Sequence, residues 1–182
     1  MKKMKYALLM IAMTVLLAAC EKKEETPPVE VQEEVEPVML FGHFDTQTLE
    51  GEEMTEEIFA NADLTMVNIW GTFCGPCIAE MPDLGEISRE YKEKGFQIVG
   101  MLCDVTEPGD ETALEIVGET KADYTHLIAS EDLTVNALQY VSSVPTTVFV
   151  DKEGYVVGEV YSGARDKTTW ELIINQYLAE VK

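Results

Sequence analysis

Basic side chains are scarce in this chain: 13 Lys and Arg stand against 34 Asp and Glu in 182 residues, a formal net charge of −21. Nucleic acid is bound by neutralising its phosphates with cations, so it is excluded as a partner. The acidic balance is read as a device for solubility rather than as the mark of a basic partner. Metal ligands are scarce too, with 4 Cys and 2 His in all. Asp104 to Glu111 is acidic, but Val105, Pro108 and Gly109 interrupt the alternating oxygen ligands of a calcium loop. There is no internal repeat. The longest apolar run, Ala7 to Leu17, falls short of the roughly 20 residues that a spanning helix needs.

That run has other neighbours. Lys2, Lys3 and Lys5 precede it and small residues follow it up to Cys20, the layout of a secretory signal over residues 1–19. Leu17-Ala18-Ala19-Cys20 resembles the lipobox of bacterial lipoproteins, which implies that Cys20 is lipidated and becomes the new N-terminus. An ordinary signal with an incidental cysteine is the alternative. Loss of residues 1–19 removes three lysines and no acid, taking the formal charge from −21 to −24. Residues 20–38 carry seven Glu, Pro27, Pro28 and Pro37, and no apolar side chain beyond proline and valine. Such a stretch buries too little to order itself and reads as an acidic tether. Residues 39–182 have the size and apolar content of one globular domain.

Within that domain, Phe41 to Thr46 and a short run after Gly51 predict a hairpin, and Glu56 to Ala60 a helical turn. Thr65 to Trp70 and Phe96 to Cys103 are short apolar runs separated by a helical pattern through Ile78, Met81, Leu84, Ile87 and Tyr91. Such a strand-helix-strand unit implies parallel strands buried on both faces. Pro82 falls inside the helix, and a kink is expected there. Helices are expected over Asp110–Gly118 and Leu133–Tyr140, with a short strand centred on Leu127 and Ile128 between them. Thr146–Val150 and Tyr155–Val160 flank the turn Asp151-Lys152-Glu153-Gly154 and form a hairpin. A last helix carries Trp170, Ile173, Ile174, Tyr177, Leu178 and Val181 on one face. The expected fold class is α/β: a mixed central sheet with helices on both faces, an N-terminal hairpin and a central helical insertion.

The chemistry concentrates in Trp70-Gly71-Thr72-Phe73-Cys74-Gly75-Pro76-Cys77. Two thiols at i and i+3, where a strand gives way to a helix, lie close enough to close a small disulfide ring. Unpaired N–H groups and the positive dipole end of the helix favour a thiolate on Cys74, which makes it the attacking sulfur. Cys77, a turn deeper, is left to resolve. The competing reading is half of a zinc site, but only Cys103, His43 and His126 remain as ligands in the folded part, none in paired spacing. Cys103 ends a strand and reads as a small core hydrophobe rather than a third redox thiol. His126 reads as structural rather than catalytic.

With these residues in place, the chain resembles the thioredoxin superfamily, and within it the extracytoplasmic TlpA- and ResA-like thiol-disulfide oxidoreductases. Trp70 and Cys74-Gly75-Pro76-Cys77 fit the active-site pattern, Pro82 the proline of the following helix, and Val144-Pro145-Thr146 the cis-proline turn. Glu80, in Cys-x-Pro-Cys-x-x-Glu-x-Pro, is the ResA-like variation. The resemblance spans roughly Phe41 to Lys182 and implies the thioredoxin-like fold. Asn68 stands where thioredoxins keep a buried, proton-assisting Asp, so that role does not transfer. Glu80 follows Cys77 by three positions on one helix, and is either the base that takes the Cys77 proton or a solvated helix carboxylate. Phe73 replaces the usual Trp and is a contact on the docking surface. Pro145, expected cis, places Val144 beside the cysteines for substrate alignment; the alternative is a strand-edge proline of no functional weight.

The resemblance implies a membrane-anchored, extracytoplasmic disulfide reductase, monomeric and without cofactor, that takes electrons from a polytopic membrane donor. Its substrates would be exported proteins carrying disulfides, apocytochrome c or similar. The alternatives are a reductant for an extracytoplasmic methionine sulfoxide reductase or peroxidase, and a binding lipoprotein with its thiols locked. Peroxiredoxins hold their cysteine in Pro-x-x-x-Thr/Ser-x-x-Cys, whereas Asn68 to Phe73 has no proline and Thr72 lies two before Cys74, which argues against a peroxidase.

Overall fold

A computed structural model of the chain describes residues 38–181. The leader, Cys20 and nearly all of the tether lie outside the described residues. Strands β1 (Asp45–Gln47) and β2 (Glu53–Thr55) pair antiparallel, and a 3-10 turn follows over Glu56–Asn61, capped by the Thr55 hydroxyl. Then come β3 (Leu64–Trp70), α1 (Gly75–Tyr91), β4 (Phe96–Leu102), α2 (Glu111–Thr120), β5 (Thr125–Leu127) and α3 (Glu131–Asn136). The hairpin of β6 (Thr146–Asp151) and β7 (Val156–Ser162) precedes α4 (Lys167–Glu180).

The five long-range strands form one sheet in the order β5-β4-β3-β6-β7. β3, β4 and β5 run parallel, while β6 lies antiparallel to β3 and β7 antiparallel to β6. This is the mixed α/β architecture that the alternation of strand and helix patterns predicts, N-terminal hairpin included.

Every residue of β3 is buried, and its side chains divide by parity, as those of a two-sided strand must. Leu64, Met66 and Trp70 join the core with Met81, Leu84 and Ile87 of α1 and with Trp170 and Ile174 of α4. Val67 and Ile69 join the opposite core with Phe41, Phe44, Phe59 and Leu133. Asn68 shares the parity of the first set, so it faces the side of α1 and α4.

Three elements depart from the sequence pattern. The first hairpin is shorter than Phe41–Thr46 implied, because Phe41 and Phe44 are spent on the core beside Phe59 rather than on pairing. β5 stops at Leu127, since the Ile128 N–H and C=O turn to Gln47 and to the Thr46 hydroxyl of the hairpin. The helix expected over Leu133–Tyr140 ends at Asn136 and continues only as a 3-10 turn, Leu138–Tyr140, in which Tyr140 is 71 % exposed. By contrast α1 runs unbroken through Pro82, as 17 residues.

Candidate active site

β3 delivers the site. Its last residue, Trp70, is fully buried, and its indole N–H donates to His126 Nδ1 at 3.2 Å. The Trp70 carbonyl accepts from the Cys103 N–H at 2.9 Å, which carries the β3–β4 pairing one residue past the end of β4. The chain then turns through Gly71, Thr72 and Phe73. Asp104 holds this turn: its carboxylate accepts from the Thr72 N–H at 3.0 Å and from the Thr72 hydroxyl at 2.6 Å.

Cys74 is the N-cap of α1, with Gly75 and Pro76 as the first helical residues. Proline suits this place because its missing N–H belongs to the unpaired first turn in any case. Cys74 Sγ accepts from the Cys77 N–H at 3.2 Å, and the two sulfurs are bonded to each other. No acidic residue sits in the first turn of α1. The positive end of the helix therefore acts on Cys74 with no carboxylate of its own first turn against it, and in the reduced pair it favours the thiolate. Cys74 keeps 5 % of its surface in solvent and Cys77 none, so an incoming disulfide meets Cys74 first.

Beside Cys74 lies a groove of about 440 Å³ lined by Phe73, Pro76, Leu138, Val141 and Val144, with Ser142 and Ser143 at its polar side. No lining residue is charged, in a chain of net −21. Phe73 stands 71 % exposed at its lip. The Val144–Pro145 bond is cis, and Val144 forms part of the groove wall. Cys103, one residue past the end of β4, is half-buried: it packs against the core of Val67, Ile69 and Met101, as its strand pattern implied, and also lines the groove. Burial and the neighbouring Asp104 carboxylate push the Cys103 thiol up, so it stays protonated and weakly nucleophilic.

Glu80 is not a solvated helix carboxylate. It is 4 % exposed, because the face of α1 that carries it packs against β3 and α4. Oε1 accepts from Asn68 Nδ2 at 3.0 Å, while Oε2 accepts from the Arg165 N–H at 3.1 Å and from the Trp170 indole N–H at 3.3 Å. Burial pushes its carboxyl above the ordinary range, and the three hydrogen bonds oppose that shift without cancelling it. Arg165 and Trp170 are functional neighbours that the sequence pattern misses, lying 85 and 90 positions away. Trp170 was legible only as a core residue of the last helix. Its indole N–H, which must find a partner once buried, was the available signal.

His126 is 1 % exposed and donates from Nε2 to the Ala122 carbonyl at 2.8 Å, while Nδ1 receives Trp70. β4 allows this close approach only because position 100 is Gly; a Cβ there would run into the imidazole. Protonation of Nδ1 would set an N–H against the Trp70 N–H, and burial pushes His126 down to about 4. His43, fully exposed beside Glu56, is raised above 6.5. In an NMR titration the two histidines should therefore separate, with His43 losing its proton above pH 6.5 and His126 staying neutral down to about pH 4. The unfolded chain binds a proton at His126 that the folded chain refuses. Stability at this site is thus complete above pH 6.5 and falls, by about 3 kcal/mol, as the pH drops to 4. A single midpoint near 6.5 for both rings would contradict the buried, neutral imidazole.

The class is defined by these parts together: a thioredoxin-like sheet, a Cys-x-x-Cys disulfide capping α1, and a cis-proline turn beside it. The Redoxin family matches residues 33–171, and the chain belongs to that family. It is 34% identical over 95 residues to the thiol-disulfide oxidoreductase ResA of Bacillus cereus, which covers 52% of each chain. It is 32% identical over 118 residues to that of Oceanobacillus iheyensis, covering 62% of this chain and 58% of that one. The chain thus spans about half the length of the curated relatives it matches. Among solved structures it resembles a thioredoxin-family thiol:disulfide interchange protein of Chlorobium tepidum, with TM-score 0.64 and 24% identity over 75% of this chain and 93% of that one. A putative DsbE of the same organism matches with TM-score 0.64 and 24% identity over 81% and 99%. These two likenesses carry the fold.

Proposed function

We propose that the chain is a thiol-disulfide oxidoreductase, tethered to the outer side of a membrane, that reduces disulfides in exported proteins. The observation that carries this is the position of Cys74: an N-cap sulfur at the positive end of α1, at the lip of an uncharged groove, bonded to a fully buried Cys77. In the reduced pair the Cys74 thiolate attacks a substrate disulfide. Cys77 then breaks the mixed disulfide, and the pair ends oxidised. Glu80 takes the Cys77 proton as that thiol becomes a nucleophile.

The groove suits an extended polypeptide with small or apolar residues beside its cysteine. Val144 has no backbone hydrogen-bond partner among the described residues, which leaves its N–H and C=O for a substrate strand. The Gly75-Pro76 dipeptide favours a reducing poise. Lipidation at Cys20 and the 20–38 tether would hold the domain within reach of a polytopic membrane electron donor. The likeness to the ResA thiol-disulfide oxidoreductases supports this activity, and a cytochrome c precursor with a disulfide at its haem-binding cysteines is a substrate of the fitting kind.

The test is a trap. Cys77→Ser leaves Cys74 able to attack but removes the resolving sulfur, so the variant should accumulate mixed disulfides with exported proteins, released by dithiothreitol. Absence of any such adduct, with Cys74 reactive towards a small alkylating reagent, would count against a protein disulfide as substrate.

A further inference from the structure

Asn68 is fully buried in the middle of β3, paired in register with Thr147 of β6. Its Nδ2 donates to Glu80 Oε1 at 3.0 Å and to Thr147 Oγ1 at 3.1 Å. Its Oδ1 has no hydrogen-bond partner among the described residues, an uncommon and costly state for a buried acceptor. The arrangement makes sense once Glu80 is allowed to change charge. A carboxylate offers only acceptors, so the amide must present N–H to it; a carboxylic acid carries an O–H that needs an acceptor. A half-turn of the amide puts Oδ1 where Nδ2 now stands, in reach of the acid O–H and of the Thr147 hydroxyl. Nδ2 then occupies the place without a partner. One unpaired atom replaces another, so neither orientation is strongly preferred on that account.

We propose that Asn68 is the positioning residue that lets Glu80 take and release the Cys77 proton away from water, by turning its amide over. This rests on the reading of Glu80 as the base for Cys77. The proton passes from Cys77 Sγ to Glu80. The Cys77 electron pair forms the bond to Cys74 Sγ while the Cys74–substrate bond breaks, and its pair leaves on the substrate sulfur. The substrate is thereby reduced by two electrons and the Cys74–Cys77 pair oxidised, and the leaving thiolate takes a proton from solvent. An Asp at position 68 would instead set two carboxyls in contact, which hold one proton between them.

The other groups around Glu80 do not respond in this way. Arg165 gives it a backbone N–H and a guanidinium that stays charged, and Trp170 has only a donor. Tyr124 is held protonated by burial and by the Glu80 charge. Asp83, one turn further along α1, accepts from the Lys167 N–H, Asp166 caps α4, and Lys167 pairs with Glu86 and Glu90.

The test uses the full reduced chain and NMR titration of the Glu80 carboxyl carbon and the Asn68 side-chain amide. In the wild type the amide resonances should move with the midpoint of Glu80. Asn68→Ala, which removes a charge-assisted bond to the carboxylate and only a weaker neutral one to the acid, should make Glu80 hold its proton several-fold more tightly, and Asn68→Asp by roughly tenfold or more. The alanine variant carries the test should the aspartate fail to fold. Asn68 resonances indifferent to the Glu80 midpoint, or a Glu80 affinity within twofold of wild type in both variants, would overturn the proposal. If those results come with a normal effect of Glu80→Gln on the pH dependence of reduction, the base survives and only the role of Asn68 falls.

Discussion

Cys74→Ser should leave the fold standing and bring insulin reduction down to the background of dithiothreitol alone, a loss of roughly 10³-fold or more by analogy with removal of other nucleophiles. The fold survives because serine is among the best N-cap residues, and its hydroxyl accepts the Cys77 N–H in place of the sulfur. The position is at the surface end of the core, so the smaller atom leaves little cavity. Activity is lost because a helix N-terminus that lowers a thiol from about 8.5 cannot ionise a hydroxyl near neutral pH. Cys77 does not take over, since none of its surface reaches solvent. Stability must be compared with the reduced wild type, because the oxidised chain carries a cross-link that the variant lacks. Turnover at more than a tenth of wild type would place the attacking sulfur elsewhere, with Cys103 in the groove wall the first to examine.

Glu80→Gln should slow the step in which Cys77 resolves the mixed disulfide by about 10²-fold at neutral pH, the usual scale of a positioned proton acceptor. Glutamine keeps one oxygen for the Arg165 and Trp170 N–H groups, and its NH₂ meets Asn68, whose amide can turn its oxygen towards it. The packing is therefore retained while the base is lost. Stability carries a second signature. Between 4.5 and its raised folded value, Glu80 holds a proton in the folded chain that it lacks in the unfolded one. The wild type accordingly loses stability as pH rises through that window, and the glutamine variant should lose that slope. Stopped-flow resolution and urea unfolding across pH measure the two effects. A resolution rate and pH profile equal to wild type would remove Glu80 from the proton path.

Cys74 and Glu80 differ in how far the local sequence fixes their surroundings. That Cys74 caps a helix was readable in the chain, because an apolar run, a Gly-Pro dipeptide and a 3.6-residue pattern are all local. The parallel strands, the last hairpin and the final helix were readable for the same reason. Elsewhere distant partners override the local pattern. Phe41 and Phe44 lie in a run that reads as one arm of the hairpin but serve the core beside Phe59. Ile128 continues an apolar run but bonds to the first hairpin. Cys103 follows a buried strand yet borders the groove, because the loop after β4 turns to let Asp104 hold Thr72.

Glu80 divides the two sources most clearly. From the sequence it was one acidic residue on a helix, equally suited to solvent or to chemistry. Only the packing of β3, β6 and α4 around it removes its water and supplies Asn68, Arg165 and Trp170, because desolvation and hydrogen bonding depend on neighbours that lie 12 to 90 positions away. The sequence by itself determined where the dithiol sits and which cysteine opens the helix, since one turn of helix settles both. The tertiary structure alone decided that Glu80 lies buried among Asn68, Arg165 and Trp170, since desolvation depends on distant neighbours that no local pattern encodes.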